Sequence, residues 1–333
     1  MRSFGLRGLA MKQHRFNRAY LFIAASVAAL SSTASAATFD VDSISFRDIT
    51  GAIEIVTTTG DNIEIEVMQG NVFRTLSMAE DNGVLVVTGE REPITEDLDC
   101  CDRRINREFH GHKDRELTTG EPLDEEFFKA YPTIKVLMPA TGNVEMLDAY
   151  IKIDMDNLNG SLTLDACYAY GQTGDLDEAV IGLVDGSRLV IGNVDAGLEI
   201  DMSGDADLLV GDAAIVDVDL AGPADVILGD IDGMLDVSIA GSGIVRSTRV
   251  DGPLTTRIAG SGGVAVKAGS ADKLRATIDG SGGVYFGGVV NQPELRLYGS
   301  SEVRMRNVTG RITHHGGGDV YVGDEVFGSD DEE

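Results

Sequence analysis

Basic residues are scarce in this sequence. It holds 27 Lys+Arg against 55 Asp+Glu, a formal charge of −28. Five of the 27 (Arg2, Arg7, Lys12, Arg15 and Arg18) precede residue 36. Without that segment, 22 basic residues face 55 acidic ones, a charge of −33. Such a surface repels phosphate backbones and anionic lipid heads, which excludes nucleic acid as a partner. Long apolar runs are scarce too. The run Ala19–Leu30 is too short for a bilayer, which needs about 20 residues. No second run follows, so the mature chain is expected to be soluble, with no membrane span. The run lies between the basic residues and the small-residue pattern SSTASA, the layout of a secretory signal peptide cleaved after Ala36. No cysteine follows those small residues, which argues against a lipid anchor.

Only three cysteines are present, Cys100, Cys101 and Cys167. Export implies an oxidising compartment and one disulfide. Cys100 or Cys101 can join Cys167, or Cys100 and Cys101 can form a vicinal bridge, and the odd count leaves one thiol over. His110 and His112 lie near but match no zinc spacing. No metal or cofactor is expected beyond weak cation binding to an acidic surface.

Helical rhythm is also missing. Few windows repeat apolar residues at i, i+3 and i+4, tryptophan is absent, and proline occurs 7 times against 41 glycines. Alternation replaces it, as in GAIEIVTTTGDNIEIEVMQG and LEIDMSG. The glycines that end these runs are Gly204, Gly222, Gly241, Gly260, Gly280, Gly299 and Gly316, spaced 18, 19, 19, 20, 19 and 17 residues apart. Four residues past each stands an apolar residue: Leu208, Val226, Val245, Val264, Val284, Val303, Val320. A second apolar column follows two residues later and breaks at Ser247.

One such unit is too small to bury its own apolar face. Stacked copies build a continuous core, each strand pairing with its copy in the next unit. The fold expected is all-β, a parallel, right-handed β-helix with coils of about 19 residues. Leu235, Val237 and Ile239 point inward, Asp236 and Ser238 outward. Glycine serves the corners because the chain bends there with φ > 0.

The domain organisation expected is a signal peptide over 1–36, N-terminal β coils or a cap over 37–90, and a polar loop insertion over 91–131. The repeat β-helix follows as one stack over 132–323, and an acidic disordered tail over 324–333. A short helix is expected near Leu123–Ala130.

Gly260–Ala265 matches G-x-G-x-x-A, the dinucleotide-binding turn. That turn must open a helix, whereas Val264-Ala265-Val266 continues as strand. The match is one copy of a repeated corner and carries no cofactor. Ser242, Ser261 and Ser281 recur at corners, which argues for geometry rather than a nucleophile. Asp201, Asp205, Asp207, Asp217 and Asp219 face outward and offer carboxylate pairs at glycosidase spacing, against a background where acids are common. Gly316–Glu325, GGGDVYVGDE, echoes a calcium-binding β-roll repeat once, where several copies are needed. His314 aligns with Ile258 and Ile278 and caps the last coil beside His315. Tyr168, Tyr170, Tyr285 and Tyr298 are candidates for a sugar-binding face, but scattered ones.

LTTRIAGSGGVAVKA (254–268) and LRATIDGSGGVYFGG (274–288) resemble repeats of the bacterial envelope family called "putative auto-transporter adhesin, head GIN domain". IKVLMPATGNVEMLDAYIKID (134–154) resembles the opening of related adhesin β-helix domains. The resemblance covers residues 40–90 and 130–325. It implies an exported β-helix and supplies no catalytic residues. The chain ends in an acidic tail rather than in amphipathic barrel strands, and the 91–131 insertion is outside the family pattern.

The sequence therefore points to an exported, non-catalytic β-helix protein of the cell envelope, in the periplasm or at the outer-membrane surface. Its expected partner is an envelope polysaccharide or protein, with self-association through the end coils as a further expectation. The alternative is a polysaccharide lyase or glycoside hydrolase.

Overall fold

The computed structural model describes residues 35–72, 74–89, 125–184 and 186–327. Most of the expected signal segment, most of the expected insertion, and residues 328–333 lie outside them, as do Cys100, Cys101, His110 and His112. The described chain is a β-solenoid of about 9 turns with ~19-residue coils. Its one helix among the described residues is Glu125–Lys129.

Alternation sets the wall of each coil. In Leu235–Gly241, Leu235, Val237 and Ile239 are buried while Asp236 and Ser238 reach solvent. The strand pairs in parallel with Ala213–Gly222 on one side and Leu254–Gly260 on the other. Residues in register stack their side chains, so the core is a set of columns such as Val218, Val237, Thr256, Ala276 and Leu295. Each buried aliphatic side chain is worth about 1.5–3 kcal/mol. Polar residues in these columns need internal partners. The Ser247 hydroxyl has them, placed to bond the carbonyl oxygens of Gly229 and Arg249, each at 2.9 Å. The Thr256 hydroxyl is buried without one.

Each coil carries a long strand, a glycine corner, a shorter strand and a brief third run. Gly204, Gly222, Gly241, Gly260, Gly280, Gly299 and Gly316 have φ between 79° and 138°. At Gly280 a Cβ would lie 2.2 Å from the Gly260 carbonyl oxygen, so stacked corners leave no room for a side chain. Gly316 departs from the column: it pairs opposite Leu297, two residues before Gly299. The final corner is shorter, because Glu302 already pairs with Asp319. His314 accordingly aligns with Leu295 and not with the Ile258–Ile278 column.

A second corner holds a ladder of side-chain amides and carboxylates. The Oδ1 atoms of Asn157, Asp175, Asn193 and Asp212 accept the backbone N–H of Asp175, Asn193, Asp212 and Asp230 in turn, at 2.8–2.9 Å. This ladder satisfies backbone donors that the bend takes out of the sheet.

The stack does not follow chain order at its N-terminal end, which corrects the single run from 132 onward. Ser43–Arg47 pairs with Val84–Thr88 on one side and Val144–Met155 on the other. Thr50–Thr58 likewise lies between Thr133–Pro139 and Val144–Met155. The coil formed by 43–58 is thus wedged between one formed by 84–88 with 133–139 and one formed by 144–155. Antiparallel strands finish this end: Ile63–Met68 on Thr133–Pro139, Ser35–Phe39 on Ile63–Met68, and Ser77–Asp81 on Val84–Thr88. Glu80 and Asp81 charge the outer strand, a device that discourages further pairing. Ser35 and Ala36, which precede the expected cleavage point, belong to the strand Ser35–Phe39.

The tail is also ordered further than expected. Glu325–Phe327 pairs antiparallel with Asp319–Val322. The calcium-like stretch 316–325 therefore contributes to a hairpin, turned at Gly323 with φ 59°.

Candidate functional site

The helix Glu125–Lys129 sits outside the coils on a small core of its own. Phe128, Tyr150, Cys167 and Tyr168 are buried together, with Phe128 stacked on Tyr168 at 6.1 Å. Tyr168 is only 5% exposed and is therefore no part of a ligand face. Cys167 is disulfide-bonded, and the remaining cysteines lie outside the described residues.

The outward side chains fall on two main faces. The first is carried by the long strands. In one column Glu199, Asp217 and Asp236 are neighbours, and in the next Asp201 faces Asp219. Like charges on adjacent strands repel. Burial, and after it the Asp236 carboxylate, holds the Asp217 carboxyl above its ordinary value. Arg257 donates to Asp236 at 2.8 Å. Further along, Arg275 and Arg296 take over positions where the earlier coils carry acids. There Lys273 and Arg275 bond Glu294 at 2.6 and 2.9 Å and hold its carboxyl down at about 2.

The second face is carried by the shorter strands and is shaped as an open trough of about 700 Å³. Its floor is a stripe of Val190, Leu209 and Ile227 on successive coils. These side chains are 43–45% exposed although apolar. Beside them runs a second column, Tyr170, Arg188, Asp207 and Asp225. Asp207 bonds Arg188 at 3.3 Å and Asp225 bonds Arg246 at 3.3 Å. At the low-numbered end Gln172 donates to Asp154 at 3.2 Å. There the trough shares Lys152 and Asp154 with a smaller recess of about 250 Å³ lined by Phe128 and Lys129 of the helix.

The candidate residues are thus divided. Asp207 and Tyr170 lie on the trough, whereas Asp201, Asp217, Asp219 and Tyr298 lie on the acidic face and Asp205 sits near a corner. Tyr285 shares the column of Val190, Leu209 and Ile227, three coils beyond Ile227. Ser242, Ser261 and Ser281 are exposed, and their backbone N–H groups bond the preceding coil's glycine carbonyls. His314 is partly buried at the last coil, and burial, then His315, lowers its pKa. Among the described residues, no group of three or more His, Cys, Asp or Glu is arranged to hold a metal ion. No helix among them is long and apolar enough to cross a membrane.

The stripe was the feature overlooked in the sequence. Leu189-Val190-Ile191, Leu208-Leu209-Val210 and Val226-Ile227-Leu228 each place three apolar residues where alternation calls for a polar middle one.

No family model matches the chain, and no curated protein matches it. Among solved structures it is similar to a "putative adhesin" from Parabacteroides distasonis, at 16% identity over 87% of this chain and 98% of that one, with a TM-score of 0.33. A second "putative adhesin", from Parabacteroides merdae, is 14% identical over 87% and 96%, with a TM-score of 0.33. A "putative lipid binding protein" from Parabacteroides distasonis is 11% identical over 87% and 96%, with a TM-score of 0.27.

Proposed function

We propose that this is an exported, non-catalytic protein of the bacterial cell envelope that acts by binding, in the manner of an adhesin. Its partner is an envelope polysaccharide or protein. The observation that carries this reading is the trough. It repeats the same pair of columns from coil to coil, and its two central acids, Asp207 and Asp225, are each tied to an arginine. A surface that sets a polar column beside an apolar one over several coils suits an extended partner. The signal-like N-terminus and the resemblance of the GSGG repeats to the auto-transporter adhesin, head GIN domain family support the envelope location.

A glycan-cleaving enzyme is the second reading. One observation favours it: on the acidic face Asp217 is held above its ordinary value while its neighbour Asp236 is paired with Arg257. A carboxyl held up beside an arginine-paired carboxylate resembles an acid and its partner. The test is to incubate the exported, purified protein with envelope and capsular polysaccharides and envelope extracts, measuring retention and new chain ends. Retention without new ends is expected. New ends that disappear in Asp217→Asn would replace binding with cleavage, and no retention from any fraction would end the binding reading.

A further inference from the structure

The trough is chemically two-sided. One column is apolar and one residue wide. The other presents hydrogen-bonding groups whose charges cancel, Lys152 and Arg188 against Asp207 and Asp225, while Asp154 and Arg246 stand at the two ends of the apolar column. This balance occurs on a chain of net charge −28. The face therefore selects no charged partner by long-range attraction. Its exposed ion pairs keep free lone pairs and N–H groups that can bond hydroxyls. An acyl chain does not fit, because the stripe is open on one side and flanked by charge along its length. A sugar ring does fit: its C–H face covers an aliphatic or aromatic side chain while its edge hydroxyls meet the polar column.

The spacing adds direction. Successive coils repeat the apolar and polar groups about every 4.8 Å along the solenoid axis, a step close to the advance of one pyranose in an extended chain. From Tyr170 and Gln172 to Asp225 and Ile227 there are four coils, so three steps span about 14 Å. On this basis, and resting on the binding reading above, we infer that the trough takes a neutral, unbranched, extended glycan running parallel to the solenoid axis, one sugar per coil. Val190, Leu209 and Ile227 stack against alternating ring faces. Arg188, Asp207 and Asp225 bond the hydroxyls on one edge.

Calorimetric titration of the exported full-length protein tests this, with cello-, xylo- and manno-oligosaccharides from the disaccharide to the hexasaccharide and oligogalacturonate as the anionic comparison. Affinity is expected to rise to the tetrasaccharide and then level off, with the anionic series weaker. Val190→Thr/Leu209→Thr/Ile227→Thr is expected to lose about tenfold or more in affinity. Threonine has the β-branched shape that strands favour, and single Leu209→Thr guards against a folding loss. Asp219→Asn, on the other face, should bind as the parent does. Glycan binding unchanged by the triple variant would remove the trough as the site but leave binding as the function. Tighter binding of oligogalacturonate would overturn the neutral class. A concentration-dependent dimer lost in the triple variant would assign the trough to a second copy. If no oligosaccharide binds while envelope fractions are still retained, the glycan inference fails alone.

Discussion

The acidic face and the trough belong to the same coils and are separated by one glycine corner, yet they carry charge in opposite ways. Down the acidic face, acids follow acids: Glu199, Asp217, Asp236. Down the trough, the acids are bracketed by arginines: Arg188, Asp207 and Asp225, with Arg246 reaching back to Asp225. In a solenoid every outward residue has a neighbour about 4.8 Å above and below. A column therefore either accumulates field or cancels it, and the choice is made by which residue type recurs with the coil period. At Asp217 the first arrangement adds the push of the Asp236 carboxylate to the larger effect of burial, and the carboxyl is held up. The second leaves a locally neutral surface on a strongly anionic protein.

The corner that joins the faces is where the comparison breaks most completely. Gly280→Ala places a Cβ against the Gly260 carbonyl in a backbone region alanine avoids. A loss of about 3 kcal/mol or more is expected, with both faces disrupted. Chemical denaturation measures it, and a loss below about 0.5 kcal/mol would show that the corners are loosely packed. Thr256→Val acts beneath the acidic strands without touching either face. Replacing a buried hydroxyl that has no partner should stabilise by about 1 kcal/mol, and a destabilised variant would reveal a bonded hydroxyl.

Two carboxyls sharpen the electrostatic contrast, and their signs differ. Glu294 is depressed, so the stability it provides is full above the ordinary carboxylate range and is lost as pH falls from there through about 2. Glu294→Gln should remove that acid-side loss. Asp217 is raised, so its ionisation opposes folding above the ordinary range and the opposition fades as pH falls. Asp217→Asn should stabilise by about 0.5 kcal/mol or less at neutral pH, and high salt should trim only the part of the gain that comes from the Asp236 carboxylate, leaving the part that comes from burial. Denaturation midpoints across pH and salt would decide, and a destabilised Asp217→Asn would contradict the sign. The smallest effect is expected at the trough's exposed Arg188–Asp207 pair. A double-mutant cycle should give a coupling of about 0.5 kcal/mol or less. A larger value would show that the pair is rigidly held.

The repeat was legible because a parallel stack imposes its period on the sequence. The glycine column from Gly204 to Gly299, the inward positions from Leu208 to Val320 and the outward Asp236 and Ser238 all follow from counting. Features that depend on pairing between distant segments were not legible. Nothing local in Thr133–Pro139 announces that it lies beyond Thr50–Thr58 rather than beside Val144–Met155. The shortened last corner likewise displaced Gly316 and His314 by two residues from their apparent columns. Tyr168 reads as a surface aromatic because its cover, Phe128, sits on a helix forty residues earlier. The Asn157–Asp230 ladder and the apolar stripe carried the coil period openly. Both lie on outward columns, which alternation by itself marks only as facing solvent.

The wedged coil has a consequence for how the chain folds as it emerges. From Ala213 onward each new coil can settle on the one just completed, so order spreads in the direction of synthesis. Residues 43–58 cannot complete their sheet in that way. One neighbour, 133–139, arrives about eighty residues later, and the other, 144–155, later still. Closing so long a loop slows nucleation at the leading end. This early-made coil is therefore among the last to be sealed, and the regular coils behind it must wait for a template or start without one.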